Sequence, residues 1–300
     1  MLPEPSDINY FINENENIGR SSNDHNNHIR ENILRCMPFI DNDFYSHSEY
    51  GAEWLKLKTD FDVKMKEICP SYHSYRIKHK AGRCHNYDFI ISFHNENNEK
   101  ISDEKLEFKY NASSIDNTPQ FVSPMKPSQY LSQPFEEFYY DNYLVPLLQE
   151  FELSIPERVV YLKSIHNNKP KCMETQQLLY YQGCKQSSNY TGEEKACKFY
   201  QRCNEASREC IKNFILGTEL DIEKLTDYLL DSQDKKKYLL YKNGEFKIQI
   251  PDIHDYKIIS FCKNPEKYRY EATTQTNKKI NILLRWKNGN GIAYPAFQIS

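Results

Sequence analysis

The chain has 300 residues, 27% of them charged, and a formal net charge of -3. That length suits one large domain, or a main domain with a smaller appendage. The charge balance excludes a packaging or histone-like protein that grips nucleic acid through its global field, and it leaves open an enzyme with one local basic patch.

Residues 1–26 are polar and poor in hydrophobics, so a flexible segment is predicted there. They show no basic start followed by an apolar run, and the nine cysteines therefore read as reduced thiols rather than a disulfide frame. The expectation is an intracellular protein, cytoplasmic or nuclear and not secreted. Apolar runs reach only strand length, so no membrane is expected as a partner. A short helix is predicted from Asn27 to Met37, ending before Pro38.

Trp54, Leu57, Phe61, Met65 and Ile68 recur at helical spacing, and Pro70 closes that helix. Tyr87 to Phe93 is a nearly continuous apolar run, predicted as a strand buried on both faces. Ten polar residues, 94–103, read as a hairpin loop. From Lys105 to Tyr110 the alternation is plain, with Leu106, Phe108 and Tyr110 on one side and Lys105, Glu107 and Lys109 on the other. Four prolines within 117–134 predict a shaped loop. Phe135 to Phe151 resumes helical spacing with a kink expected at Pro146. Further helices are predicted around 157–165, 173–183, 193–216 and 221–231. Beyond Lys237 the pattern is strand-like, and Asn243-Gly244 is a hairpin signal.

The chemistry gathers on the two early strands. Glu107 and Lys109 lie two apart and face the same way, and Asp88 stands nineteen residues before Glu107 at the start of the preceding strand. An antiparallel pair brings the two carboxylates together, which is costly unless a cation lies between them. Oxygen ligands favour Mg²⁺, with Mn²⁺ expected to substitute. Such an ion suits phosphodiester hydrolysis, polarising the phosphate and lowering the pKa of a water, while Lys109 orients or deprotonates that water.

Asp88 followed by Glu107-Phe108-Lys109, each among apolar residues, resembles the PD-(D/E)XK nuclease superfamily, to which many type II restriction endonucleases belong. The Pro that often precedes the family's Asp is replaced by Tyr87. The resemblance covers about residues 49–151. It implies a restriction-endonuclease-like α/β fold, with a central mixed sheet flanked by helices, a helical insertion and a C-terminal β region. It also implies that Asp88 and Glu107 bind the divalent metal while Lys109 assists the water. The boundaries expected are 1–26 as the polar segment, 27–156 as the catalytic core, 157–236 as a helical subdomain and 237–300 as a β region that completes the core or contacts DNA.

Around this core, Glu53 is the candidate third carboxylate and metal ligand, with Glu49 as its alternative. Gln120 is a candidate contact to water or phosphate. Arg76, Lys78, Lys80 and Arg83 form a basic approach for DNA, with Gly82 allowing the backbone close to it. His79 and His85 read as polar neighbours of the site. Zinc is not expected, because the cysteines between 172 and 210 form no C-x-x-C pair, and Cys203 and Cys210 read as small hydrophobes on one helix face. Lys235, Lys236 and Lys237 read as a solvated turn, and Arg285 and Lys287 as outward charges beside Trp286.

The expected function is thus Mg²⁺-dependent cleavage of double-stranded DNA at a specific sequence, by a homodimer accompanied by a separate DNA methyltransferase. Two other readings stay open: a structure-selective repair or RNA endonuclease, and a non-catalytic DNA-binding protein on a degenerate nuclease fold.

Overall fold

The structure is a computed structural model that describes residues 2–12, 20–80, 85–118, 125–167, 170–286, 290–292 and 294–300. Gly82, Arg83, Gln120 and Lys287 lie outside the described residues. The chain forms two compact units, Met1–Thr118 with Ser232–Asp252, and Pro119–Asp231 with Ile253–Ser300. Each unit is therefore built from two stretches of chain. The strands after Lys235 divide, one pair joining the first unit by β-pairing and the rest the second.

The first unit begins with helices α1 (Asn9–Ile12), α2 (Arg20–Cys36), α3 (Asn42–Tyr45) and α4 (Gly51–Ile68). Strands β1 (Ser74–His79), β2 (Phe89–His94) and β3 (Lys100–Tyr110) follow, and β4 (Lys236–Lys242) with β5 (Glu245–Gln249) completes a mixed sheet in the order β1-β2-β3-β4-β5. All neighbours are antiparallel except β3 and β4, which run parallel. A parallel pair needs a long crossover, and here the connection carries most of the second unit's helices. Asn243 and Gly244 turn β4 into β5 with positive φ at both residues, 53° and 82°, as the tightest hairpins require.

The helical stripe of α4 does what its spacing predicts: Trp54, Leu57, Phe61 and Met65 are buried and pack with Phe89, Ile91, Phe93, Leu106 and Phe108 of the sheet. Within the polar N-terminal segment, residues 2–12 are packed against this core. Ile8 and Phe11 are buried in the same core, and the Trp54 indole donates to the carbonyl of Pro5 at 2.8 Å. Few apolar residues suffice there because α4 and the sheet supply the partner surface. The predicted helix before Pro38 exists but starts at Arg20. The expected 94–103 loop contracts to a turn in which the Asn95 amide donates to Glu99 O at 2.9 Å, and β3 starts at Lys100. In β2, Phe89, Ile91 and Phe93 are buried, whereas Ile90 and Ser92 on the opposite face are partly exposed. Over β2 and β3 one face is thus covered and the other carries the polar residues, whereas in β4 Tyr238 and Leu240 are buried on that second face as well.

The second unit contains helices α5 (Phe135–Tyr139), α6 (Val145–Glu150), α7 (Arg158–Ser164), α8 (Glu174–Gln182), α9 (Glu194–Gly217) and most of α10 (Ile222–Gln233), whose last two residues belong to the first. Between α5 and α6 the backbone widens into a π turn, Tyr140–Leu144, immediately ahead of Pro146, whose missing N–H interrupts the regular ladder. Strands β6 (Ile258–Asn264), β7 (Arg269–Thr274), β8 (Lys279–Trp286) and β9 (Pro295–Ile299) make an antiparallel meander. Cys203 and Cys210 are fully buried in the core shared by α9 and this sheet, and burial pushes both thiols up. No helix among the described residues is long and apolar enough to cross a membrane. The protein is mixed α/β, with a mixed five-stranded sheet and a separate antiparallel sheet, each accompanied by helices.

Candidate active site

Residues at i and i+2 of a strand point the same way, so the burial of Leu106 and Phe108 against α4 turns Glu107 and Lys109 to the opposite face. The antiparallel register of β2 and β3 pairs Phe89 with Leu106. One step further out, the Asp88 amide donates to Leu106 O at 3.0 Å, and the Lys80 amide donates to Asp88 O at 2.7 Å. Asp88 therefore extends the ladder on both sides and stands opposite Glu107. Its Oδ2 accepts the backbone N–H of Phe108 at 2.8 Å, the amide that lies between Glu107 and Lys109. The three sequence-predicted residues meet at one end of the sheet.

Lys109 Nζ lies 2.6 Å from Glu107 Oε1. A second ammonium, Lys236, lies 3.1 Å from Glu107 Oε2 and also donates to the carbonyl of Asn86. Lys236 opens β4, pairs with Lys105 in the parallel register, and is 2% exposed. The expectation of a solvated turn at residues 235–237 is corrected: Lys236 shares the face of Tyr238 and Leu240, and Lys237 on the other face pairs with Glu104 at 2.5 Å. The Asn86 side chain donates to Ser232 O at 2.7 Å and fixes the approach to Asp88.

These charges decide protonation. Burial pushes Asp88 up to about 7, helped by the charges of Glu107 and Glu31 and opposed by Lys109 and the Phe108 amide. Burial also works against ionising Glu107, but Lys109 and Lys236 outweigh it and hold this carboxyl below its ordinary value. Lys109 is desolvated too, yet Glu107, Asp88 and Glu31 together raise it. It is held as a cation. For Lys236 burial wins and its pKa falls, with Glu107 pulling the other way.

Glu31 of α2 is the acid that sequence reasoning missed. Its charge acts on both Asp88 and Lys109, and its Oε2 is 3.0 Å from His79 Nε2. Glu53, expected in that place, lies on the α4 face of the sheet instead. It sits one residue before Trp54, on the flank of the buried stripe, and lines a cavity of about 420 Å³ with Phe11, Leu57, Tyr110 and Tyr241. Its Oε2 is buried and has no hydrogen-bond partner among the described residues. Glu49 is exposed ahead of α4. His85 stacks obliquely on Tyr87, with ring centroids 5.2 Å apart.

The basic approach shares the face of the acids. The strand pairings put Lys78, Ile90, Lys105 and Lys236 in one row across four strands, with Arg76 two residues before Lys78 and Lys80 two after it. Arg76 and Lys78 are exposed and Lys80 is partly so. Among the described residues no group of three or more His, Cys, Asp or Glu is arranged to hold a metal ion by itself. A pair of carboxylates fits an ion that keeps most of its water, which is how Mg²⁺ binds at phosphoryl sites. A raised Asp88 beside an ionised Glu107 is the imbalance that such an ion relieves. In comparisons with protein-family models and with curated proteins, no family model and no curated protein matches the chain.

Proposed function

We propose that the protein is a Mg²⁺-dependent endonuclease of the PD-(D/E)XK type that hydrolyses phosphodiester bonds of double-stranded DNA. One observation carries the reading: Asp88 accepts the amide between Glu107 and Lys109 and so joins both carboxylates and the ammonium at one end of one sheet face. An E-x-K pair used only as a solvated hairpin would need neither the half-buried acid opposite it nor the buried second lysine behind it. The exposed Arg76 and Lys78 on the same face give a phosphate backbone its approach.

In this reading Asp88 and Glu107 hold the divalent ion, and Glu31 rather than Glu53 is the third acid. The bound ion polarises the phosphate and acidifies the attacking water. Lys109, kept protonated by its neighbours, orients that water and stabilises the charge that develops on the phosphate. A restriction-like fold, sequence-specific cutting and a homodimer remain parts of the proposal, since a two-fold protein suits symmetric cleavage of both strands.

The test is incubation of the full chain with supercoiled plasmid and millimolar Mg²⁺ or Mn²⁺, beside Lys109→Ala. Discrete fragments are expected, with the rate reduced roughly 10²-fold or more in the variant. Binding without cutting in either metal would sink the enzymatic reading, and a smear would remove the sequence-specific part. A double change, Arg76→Ala with Lys78→Ala, is expected to weaken DNA binding evenly across sequences and to flatten the log–log salt slope by about two. An unchanged slope would take the basic row out of the interface.

A further inference from the structure

Both oxygens of Glu107 already carry a cation: Lys109 on Oε1 and Lys236 on Oε2. The two lysines differ in freedom. Lys109 has a side chain 22% exposed, whereas that of Lys236 is 2% exposed and is also tied to the Asn86 carbonyl. An arriving metal ion can displace an ammonium that has solvent to move into. It cannot displace one enclosed by its own strand without breaking the start of β4.

We propose that Lys236 is the fixed cation of the site, a positioning residue that holds Glu107 through Oε2, so that the chain takes one divalent ion rather than two. The inference rests on the nuclease reading above. Glu107 through Oε1 and the Asp88 carboxylate would hold the single ion, and Lys109, the more exposed of the two lysines, would have to give up its contact with Oε1. Charge points the same way. Asp88 and Glu107 face Lys109 and Lys236, a balance that Glu31 tips by one negative charge. One divalent ion nearly neutralises that cluster together with a bound phosphate. A second would leave it strongly positive in a poorly solvated place, since among the described residues Glu31 is the one further acid acting on Asp88 and Lys109, and its Oε2 is already 3.0 Å from His79 Nε2.

The test reads stoichiometry rather than activity. Mn²⁺ is titrated into the full-length protein, with free ion followed by electron paramagnetic resonance and heat by calorimetry, for the wild type, Lys236→Met and Lys236→Arg. One ion per chain is expected in the wild type and in Lys236→Arg, and two in Lys236→Met, where Glu107 Oε2 has lost its cation. Should Lys236→Met fail to fold, Lys236→Gln, which keeps a donor, carries the same expectation of two. Two ions in the wild type would overturn the fixed-cation role while leaving the nuclease reading intact. One ion in the neutral variants would overturn it as well. No bound ion in the wild type, with no plasmid cleavage, would overturn both. Lys109→Met serves as the control and is expected to bind one ion about as tightly as the wild type or tighter, because its ammonium no longer competes.

Discussion

Asp88→Asn is expected to stop cleavage and, at the same time, to stabilise the metal-free protein at pH 8. Burial and the Glu107 and Glu31 charges bring Asp88 to about 7 when folded, against an ordinary 3.8. Below the ordinary value both folded and unfolded chains hold the proton. Between the two values only the folded chain does, so stability falls as pH rises, and the penalty is complete above about 7. At ~1.36 kcal/mol per unit, and after discounting because Asp88 is only half-buried and titrates together with Glu107, the cost at pH 8 is roughly 2 kcal/mol. Asparagine cannot ionise, yet its carbonyl still accepts the Phe108 amide. In a chelating buffer the variant should therefore melt about 4–8 °C above the wild type at pH 8. The gap should close towards pH 4. Millimolar Mn²⁺ should raise the wild type at pH 8 and not the variant. A variant less stable at pH 8, or one that still cuts, would show that Asp88 is not the strained ligand.

Glu107→Ala should have the opposite effect on stability and the same effect on cleavage. Removing this carboxylate leaves Lys236 desolvated and Lys109 without its partner, and a buried ion pair that loses one member is costly, about 3–5 kcal/mol. Denaturant unfolding would measure the loss. The double variant Glu107→Ala, Lys236→Met should recover at least half of it, since the unpaired charge is gone. Additive losses would mean that the two side chains act independently, and that Lys236 does not exist to hold Glu107.

How far these residues can be read without coordinates depends on how local their signal is. Glu107 and Lys109 are legible because a period of two puts them opposite Leu106 and Phe108. Asp88 is legible because a single turn fixes the register of β2 on β3. The helices α7 to α10 follow their apolar spacing to within a few residues. Lys236 is not legible in this way. Three consecutive lysines have turn composition, and only the parallel pairing with β3, a contact across more than a hundred residues of sequence, makes the middle one interior. Glu31 is hidden for a related reason: the helix is predictable, but its passage near Asp88 is a tertiary fact. Glu53 illustrates the converse error, an acid at a plausible helical position that the phase of the helix turns away. The two-part construction of each unit is equally non-local, because no composition shift announces that β4 and β5 return to the first sheet.

The parallel pairing of β3 with β4 also sets a timetable for the ribosome. After Tyr110 emerges, about 125 further residues must be made before Lys236 appears, some 6–25 s at ordinary elongation rates. Throughout that interval the inner edge of β3 is an open strand edge, and Glu107 lacks its buried counter-ion. Such an edge recruits other strands, and contacts this distant in sequence form slowly. The nascent chain is thus most vulnerable to aggregation in this window. A chain that stops before Lys236 would therefore carry the E-x-K pair without the lysine that holds it.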